Sequence, residues 1–187
     1  MAKILALAGS YREHSYNRRV LNVAVAGARE AGGDVTLLDL NDYPMPVYNA
    51  DEAENGFDEA ALRFQDILND HNGLLIASPE YNGSLPGGLK NAIDWASRKS
   101  EKYGMYEVFR GKTAAMITAS PGQFGGLRCL GHLRGVLTIM GVKVLPSEIA
   151  VSFVNAKFEG DGTEMNDEKM KALLKKHAAS LVAAIKS

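Results

Sequence analysis

The chain has 187 residues, of which 46% are hydrophobic and 23% charged, enough for one ordinary globular domain burying roughly 70% of the surface its unfolded chain would expose. Twenty-one Lys and Arg against 22 Asp and Glu leave a net charge of −1, so no strong field draws the molecule to nucleic acid or to an anionic membrane. Cys129 is the single cysteine, which excludes an intrachain disulfide scaffold and suits a reducing, cytoplasmic setting.

From the N-terminus, Lys3 to Ala8 is a short apolar run ending at Gly9-Ser10. It is too short for a signal-peptide core or a membrane span and reads as a buried central parallel strand. Val20, Leu21, Ala24, Val25 and Ala28 then recur at helical spacing from Asn17 to Ala31, and Gly32-Gly33 stops that helix. A second strand covers Val35 to Leu38. Asn41 to Gly56, with Pro44, Pro46 and Asn49, reads as an irregular surface excursion. A helix is predicted from about Asp58 to Asp70, a third buried strand over Gly73 to Ser78, and a helix over Pro86 to Ser97, where proline near the first turn costs no hydrogen bond.

The segment Lys99 to Gly111 is charged and aromatic, and Thr113 to Ala119 gives the fourth strand. Leu127, Leu130, Leu133, Leu137 and Met140 form the apolar stripe of the next helix. Val142 to Leu145 and Ile149 to Val151 make the fifth strand or its two halves. Asp167 to Lys186 closes the chain as an amphipathic helix with Met170, Leu173, Leu174, Leu181 and Ile185 inward. Alternation of this kind predicts an α/β class fold, a flavodoxin-like doubly wound five-stranded parallel sheet of order 2-1-3-4-5 with helices on both faces, in one domain over residues 1–187.

Ligands of such sheets sit outside the carboxyl ends of the strands, where three polar loops fall. The first, Gly9 to Asn17, leads from a strand into a helix. Helix N-terminal amides with Ser10, Arg12, Ser15 and Asn17 offer convergent donors for a terminal phosphate, although Ser15 or Asn17 as a simple cap is the bland alternative. The loop lacks GxGxxG and the Gly-rich, Lys-terminated phosphate loop of nucleoside triphosphatases. The second loop begins at Ser78 and runs into the following helix; its Gly and Pro residues let main-chain amides approach a flat ligand, or simply form a turn. Ser120 to Gly126 is the third. His14, His71, His132 and His177 are scattered, and Cys129-x-x-His132 lacks further ligands, so no metal site is expected.

Gly9-Ser-x-Arg-x-x-Ser-x-Asn17 and Ser78-Pro-Glu-Tyr-Asn-Gly-Ser-x-Pro-Gly-x-Leu-Lys-Asn-Ala-Ile-Asp-Trp95, with Gly125-Gly-Leu-Arg beyond, resemble the signatures of the NADPH-dependent FMN reductase family, which includes bacterial quinone and chromate reductases. The resemblance implies FMN as bound cofactor and NADPH or NADH as co-substrate, with ping-pong hydride transfer on to quinones, chromate, azo dyes or free flavin. It implies that Ser10, Arg12, Ser15, Tyr16 and Asn17 hold the FMN phosphate. Pro79, Glu80, Tyr81, Asn82 and Gly83 would line the isoalloxazine, with Ser120 and Gly122 on its other side. No acid-base or nucleophilic side chain is demanded, because the flavin carries the redox chemistry. A homodimer or homotetramer is implied as well, with the Leu89 to Trp95 helix and the Lys99 to Gly111 insertion at the interface. A flavodoxin-like electron carrier and a catalytically silent flavin-sensing module are the competing classes; a carrier usually offers an acidic docking face, which a charge of −1 does not suggest.

Overall fold

The computed structural model describes residues 1–160 and 162–187. Its strands are β1 (Lys3–Ala8), β2 (Asp34–Leu38), β3 (Gly73–Ala77), β4 (Thr113–Ala119), β5 (Lys143–Val144) and β6 (Ile149–Val151). All pair in parallel in the order β2-β1-β3-β4-β5, and β6 also pairs with β4. The helices are α1 (Tyr16–Glu30), α2 (Ala50–Asn55), α3 (Glu59–Asn69), α4 (Gly87–Ala96), α5 (Leu127–Ile139) and α6 (Glu168–Lys186).

Alternation along β1 divides the core. Ile4, Ala6 and Ala8 pack with α1 and α6 on one face, whereas Leu5 and Leu7 pack with α3, α4 and α5 on the other. Both faces are therefore dry, which is why the central strands read as unbroken apolar runs. Truncating Leu5 or Leu75, both fully buried, would cost about 2–5 kcal/mol through lost transfer energy and the cavity left behind.

The fifth strand position is filled by two pieces: Lys143 and Val144 pair with Thr113 and Ala114, and Ile149 to Val151 pair with Ile117 to Ala119. Pro146 lies in the gap, where it has no N–H to give a ladder. Three sequence expectations need correction. The excursion 41–56 is not wholly irregular, because Asn49 accepts the Asp51 N–H at 3.1 Å and caps the short helix α2. Leu127 is 53% exposed and Leu173 is 47% exposed, so neither faces the core. His177 and Ala178 take the inner face of α6 instead.

The segment 99–111 contributes Val108 and Phe109 to the core and donates the Tyr103 hydroxyl to Asp66 at 2.9 Å. Leu89, Ala92, Ile93 and Trp95 of α4 are likewise buried within the chain. Trp95 donates its indole N–H to the Pro46 carbonyl at 2.8 Å and meets Phe57 and Tyr48 edge to face, which moors the excursion along α4.

Candidate active site

The three loops meet at the carboxyl ends of β1, β3 and β4. A cavity of about 130 Å³ opens there, lined by Ser10, Arg12, Ser15, Tyr16, Asn17, Pro79, Glu80, Tyr81, Ala119, Ser120 and Pro121. Asn82, Gly83 and Gly122 do not line it. A larger hollow of about 600 Å³ lies beside α2 and the 98–105 segment, so size alone does not locate the site. Position at the strand ends and the set of donors make the smaller cavity the candidate.

The first loop is shaped by its own backbone needs. Ser15 caps α1, its Oγ accepting the Asn17 N–H at 3.2 Å, and Ser10 Oγ accepts the Arg12 N–H at 3.3 Å. Both hydroxyls keep their protons free to donate. Arg12 is exposed, and its guanidinium has no protein partner among the described residues. No acidic residue stands in the first turn of α1. Free helix amides, two hydroxyls and an uncommitted guanidinium suit a dianionic phosphate better than any neutral group.

Asn17 is different. Its side-chain amide donates to the Ala119 carbonyl at 3.0 Å and accepts the Ala119 N–H at 2.9 Å. Those reciprocal bonds stitch α1 to the end of β4 and consume the side chain, and the Asn17 N–H is taken by the Ser15 cap, so Asn17 shapes the pocket without offering a ligand a free donor. The neighbouring Arg18, which the sequence reading passed over, pairs with Asp39 and donates to the Ser10 carbonyl at 3.3 Å. This fixes the loop from behind, and the Arg18 hydrogen bond holds the Asp39 carboxyl below its usual range. A charged residue directly after the Ser-x-Asn run was its only sequence signal.

In the second loop, Asn82 (φ 52°) and Gly83 (φ 81°) are both left-handed. Tyr81 and Ser84 exchange backbone hydrogen bonds at 2.9 and 3.1 Å, closing a two-residue turn of the type that favours Asn-Gly. Glu80 points its carboxylate at α5: it accepts the Arg128 N–H at 2.9 Å, the Cys129 N–H at 3.3 Å and the Arg128 guanidinium at 2.8 Å. Burial would raise the Glu80 pKa, but these donors outweigh it and the carboxyl lies below its ordinary value. Glu80 is thus a helix cap, and its main chain is what remains for a ligand. Cys129 is buried beside Ser78 at 3.4 Å, and burial pushes its thiol pKa up, which keeps it out of thiolate chemistry.

The third loop is held by Thr118 Oγ1, which donates to the Gly125 carbonyl at 2.7 Å. A Cβ at Gly125 (φ +59°) would meet Ser152 N and the Val151 carbonyl carbon at 2.8 Å, so only glycine fits the loop against β6. Ser120 Oγ accepts the Gly122 N–H at 3.1 Å, fixing a local turn. Tyr81, Phe124 and Phe153, each about half exposed, lie on the segments that make this edge. Sequence reasoning missed Ala119, Pro121 and Phe153; a strand end and two ordinary apolar residues carry no motif.

A doubly wound parallel sheet of this order, with a donor-rich pocket at its first strand-to-helix loop, is the flavodoxin-like arrangement. The family model for NADPH-dependent FMN reductase matches residues 2–156. The chain is 38% identical over 180 residues to the NAD(P)H-dependent FMN reductase of Pseudomonas aeruginosa, covering 96% of this chain and 92% of the relative. It is 36% identical to the NAD(P)H:quinone oxidoreductase of Solanum tuberosum, covering 92% and 87%. The solved structure of the flavoenzyme NAD(P)H:(acceptor) oxidoreductase FerB of Paracoccus denitrificans superposes with a TM-score of 0.84 at 29% identity, covering 100% of this chain and 98% of that one. The chain belongs to the NADPH-dependent FMN reductase family: it is a flavin-dependent oxidoreductase with FMN as cofactor and NAD(P)H as reductant.

Proposed function

We propose that this protein reduces small-molecule quinones with NAD(P)H by a ping-pong sequence on one exposed flavin face. The observation that carries the reading is the mismatch between the small, partly open pocket and the whole ligand. Its volume of about 130 Å³ is well below the roughly 300 Å³ or more of a site that engulfs a small molecule. The pocket takes the phosphate end, and the ring lies over the open loops.

Ser10, Ser15, Arg12 and the first-turn amide of Tyr16 bind the phosphate in this reading, while Asn17 holds the loop against the end of β4. Pro79, Glu80, Tyr81, Asn82 and Gly83 support one side of the ring through their main chain, and Ser120 and Gly122 the other. When bound, FMN supplies the redox chemistry, accepting hydride from the nicotinamide and passing the electrons to the acceptor. The chain positions and screens. Main-chain N–H groups held rigid by the Tyr81–Ser84 turn present dipoles where negative charge develops.

The quinone acceptor is supported by the named activity of the Solanum relative. We place the protein in the cytoplasm, in keeping with its single buried cysteine; no helix among the described residues is long and apolar enough to cross a membrane. A homodimer or homotetramer would cover the exposed Tyr81, Phe124 and Phe153. Initial rates with varied NADPH and quinone test the shared face: parallel double-reciprocal lines are expected, and intersecting lines contradict it.

A further inference from the structure

A second hollow, of about 350 Å³, lies between residues 147–150 and one stripe of α6. It exists because β5 pairs for only two residues and the chain rejoins the sheet at Ile149, beyond Pro146. On α6, Met170, Leu173, His177 and Ser180 recur at helical spacing and line the same space. Leu173 is 47% exposed, whereas His177 is only 5% exposed. The hollow therefore has an open apolar wall and a buried polar floor, the combination that small-molecule sites use.

The bonding of His177 decides what that floor can receive. Its Nε2 lies 3.2 Å from the Met116 carbonyl oxygen, which can only accept, so Nε2 carries the proton and Nδ1 presents a lone pair. Ser147 Oγ stands 3.3 Å from Nδ1, long for an O–H donor, and Ser147 is exposed and free to turn to water. Burial also favours the neutral ring. At the rim, the Glu148 carboxylate is bound by Arg134 Nε at 2.6 Å, and Lys176 supplies one ammonium. With Glu148 satisfied by Arg134, one ammonium is left at the rim, while the floor at His177 is itself uncharged.

We propose that this hollow binds a small neutral ring bearing a hydroxyl, that is, a phenol. Its ring lies against Leu173, Met170 and Ile149, and its O–H donates to His177 Nδ1 in place of Ser147. An ether of similar size has no proton for Nδ1, which then keeps Ser147 as its partner. Of the two forms of the acceptor proposed above, the hydroquinone carries this donor and the quinone does not; only that extension rests on the functional reading.

The test is a ¹H–¹⁵N NMR titration of the FMN-loaded full chain with phenol and, separately, anisole. Saturable shifts at the Ala150, Leu173 and His177 amides are expected for phenol, with Kd on the order of 1 mM, and binding about two- to tenfold weaker for anisole. Leu173→Glu, a change at an exposed wall position that leaves the fold intact, abolishes the phenol shifts. Equal binding of anisole, persistence of the shifts in Leu173→Glu, or shifts confined to Tyr81 and Ser120 would each overturn the proposal. Hydroquinone producing no shifts where phenol does would overturn the extension.

Discussion

Replacing Arg12 by alanine isolates the charge at the pocket mouth. The Arg12 side chain makes no hydrogen bond or ion pair within the protein among the described residues, so the change should move folding stability by no more than about 0.5 kcal/mol. A charge-assisted hydrogen bond to phosphate is worth about 1.5–3 kcal/mol, or roughly 10- to 100-fold in affinity. Because Arg12 is exposed, solvent screening favours the lower end, near tenfold. Flavin fluorescence quenching on titration of apoprotein measures this directly, with riboflavin as the control that lacks the phosphate. FMN binding should weaken, the loss should shrink further in high salt, and riboflavin binding should not change. An unchanged FMN Kd, or equal weakening of both flavins, would refute the assignment of Arg12 to the phosphate.

Asn17→Ala removes both bonds to Ala119 and leaves a buried N–H and C=O unpaired; a loss of about 2–4 kcal/mol is expected in urea denaturation, with FMN and riboflavin weakened alike. Gly125→Ala should cost about 2–4 kcal/mol, from left-handed strain and collision with the β6 backbone, read as a lowered Tm. Glu80 has a folded-state pKa below its unfolded value, so its contribution is fully present above the ordinary carboxylate range and disappears as pH falls through the folded pKa. Glu80→Gln should therefore lower stability at pH 7 and flatten the acid limb of the stability profile. A variant whose acid limb matches the wild type would show that the cap of α5 does not depend on the charge.

Much of the fold was legible because each central strand is buried on both faces and ends at a turn signal. Lys3 to Ala8 and Thr113 to Ala119 are strands with those bounds, and the helix predicted over Pro86 to Ser97 differs from α4 by its two cap residues. What failed was side-chain direction at helix ends and gaps. Leu127 opens α5 at the loop edge and Leu173 faces the hollow beside β6, so periodicity alone assigned both to a core that is not there. Within the candidate site, Ser10, Arg12 and Ser15 could be read as donors from the loop's composition. The division of labour among Asn17, Arg18 and Glu80 could not, because it depends on Ala119, Asp39 and the amides of α5, all more than 20 positions away. Long-range hydrogen bonds leave no mark in local spacing.

The most direct measurement is the anaerobic visible spectrum of the FMN-loaded protein before and after one equivalent of NADPH, followed by a quinone. The flavin absorption band should bleach rapidly and return when the quinone is added. A bound flavin that stays oxidised in the presence of NADPH would contradict the reductase reading.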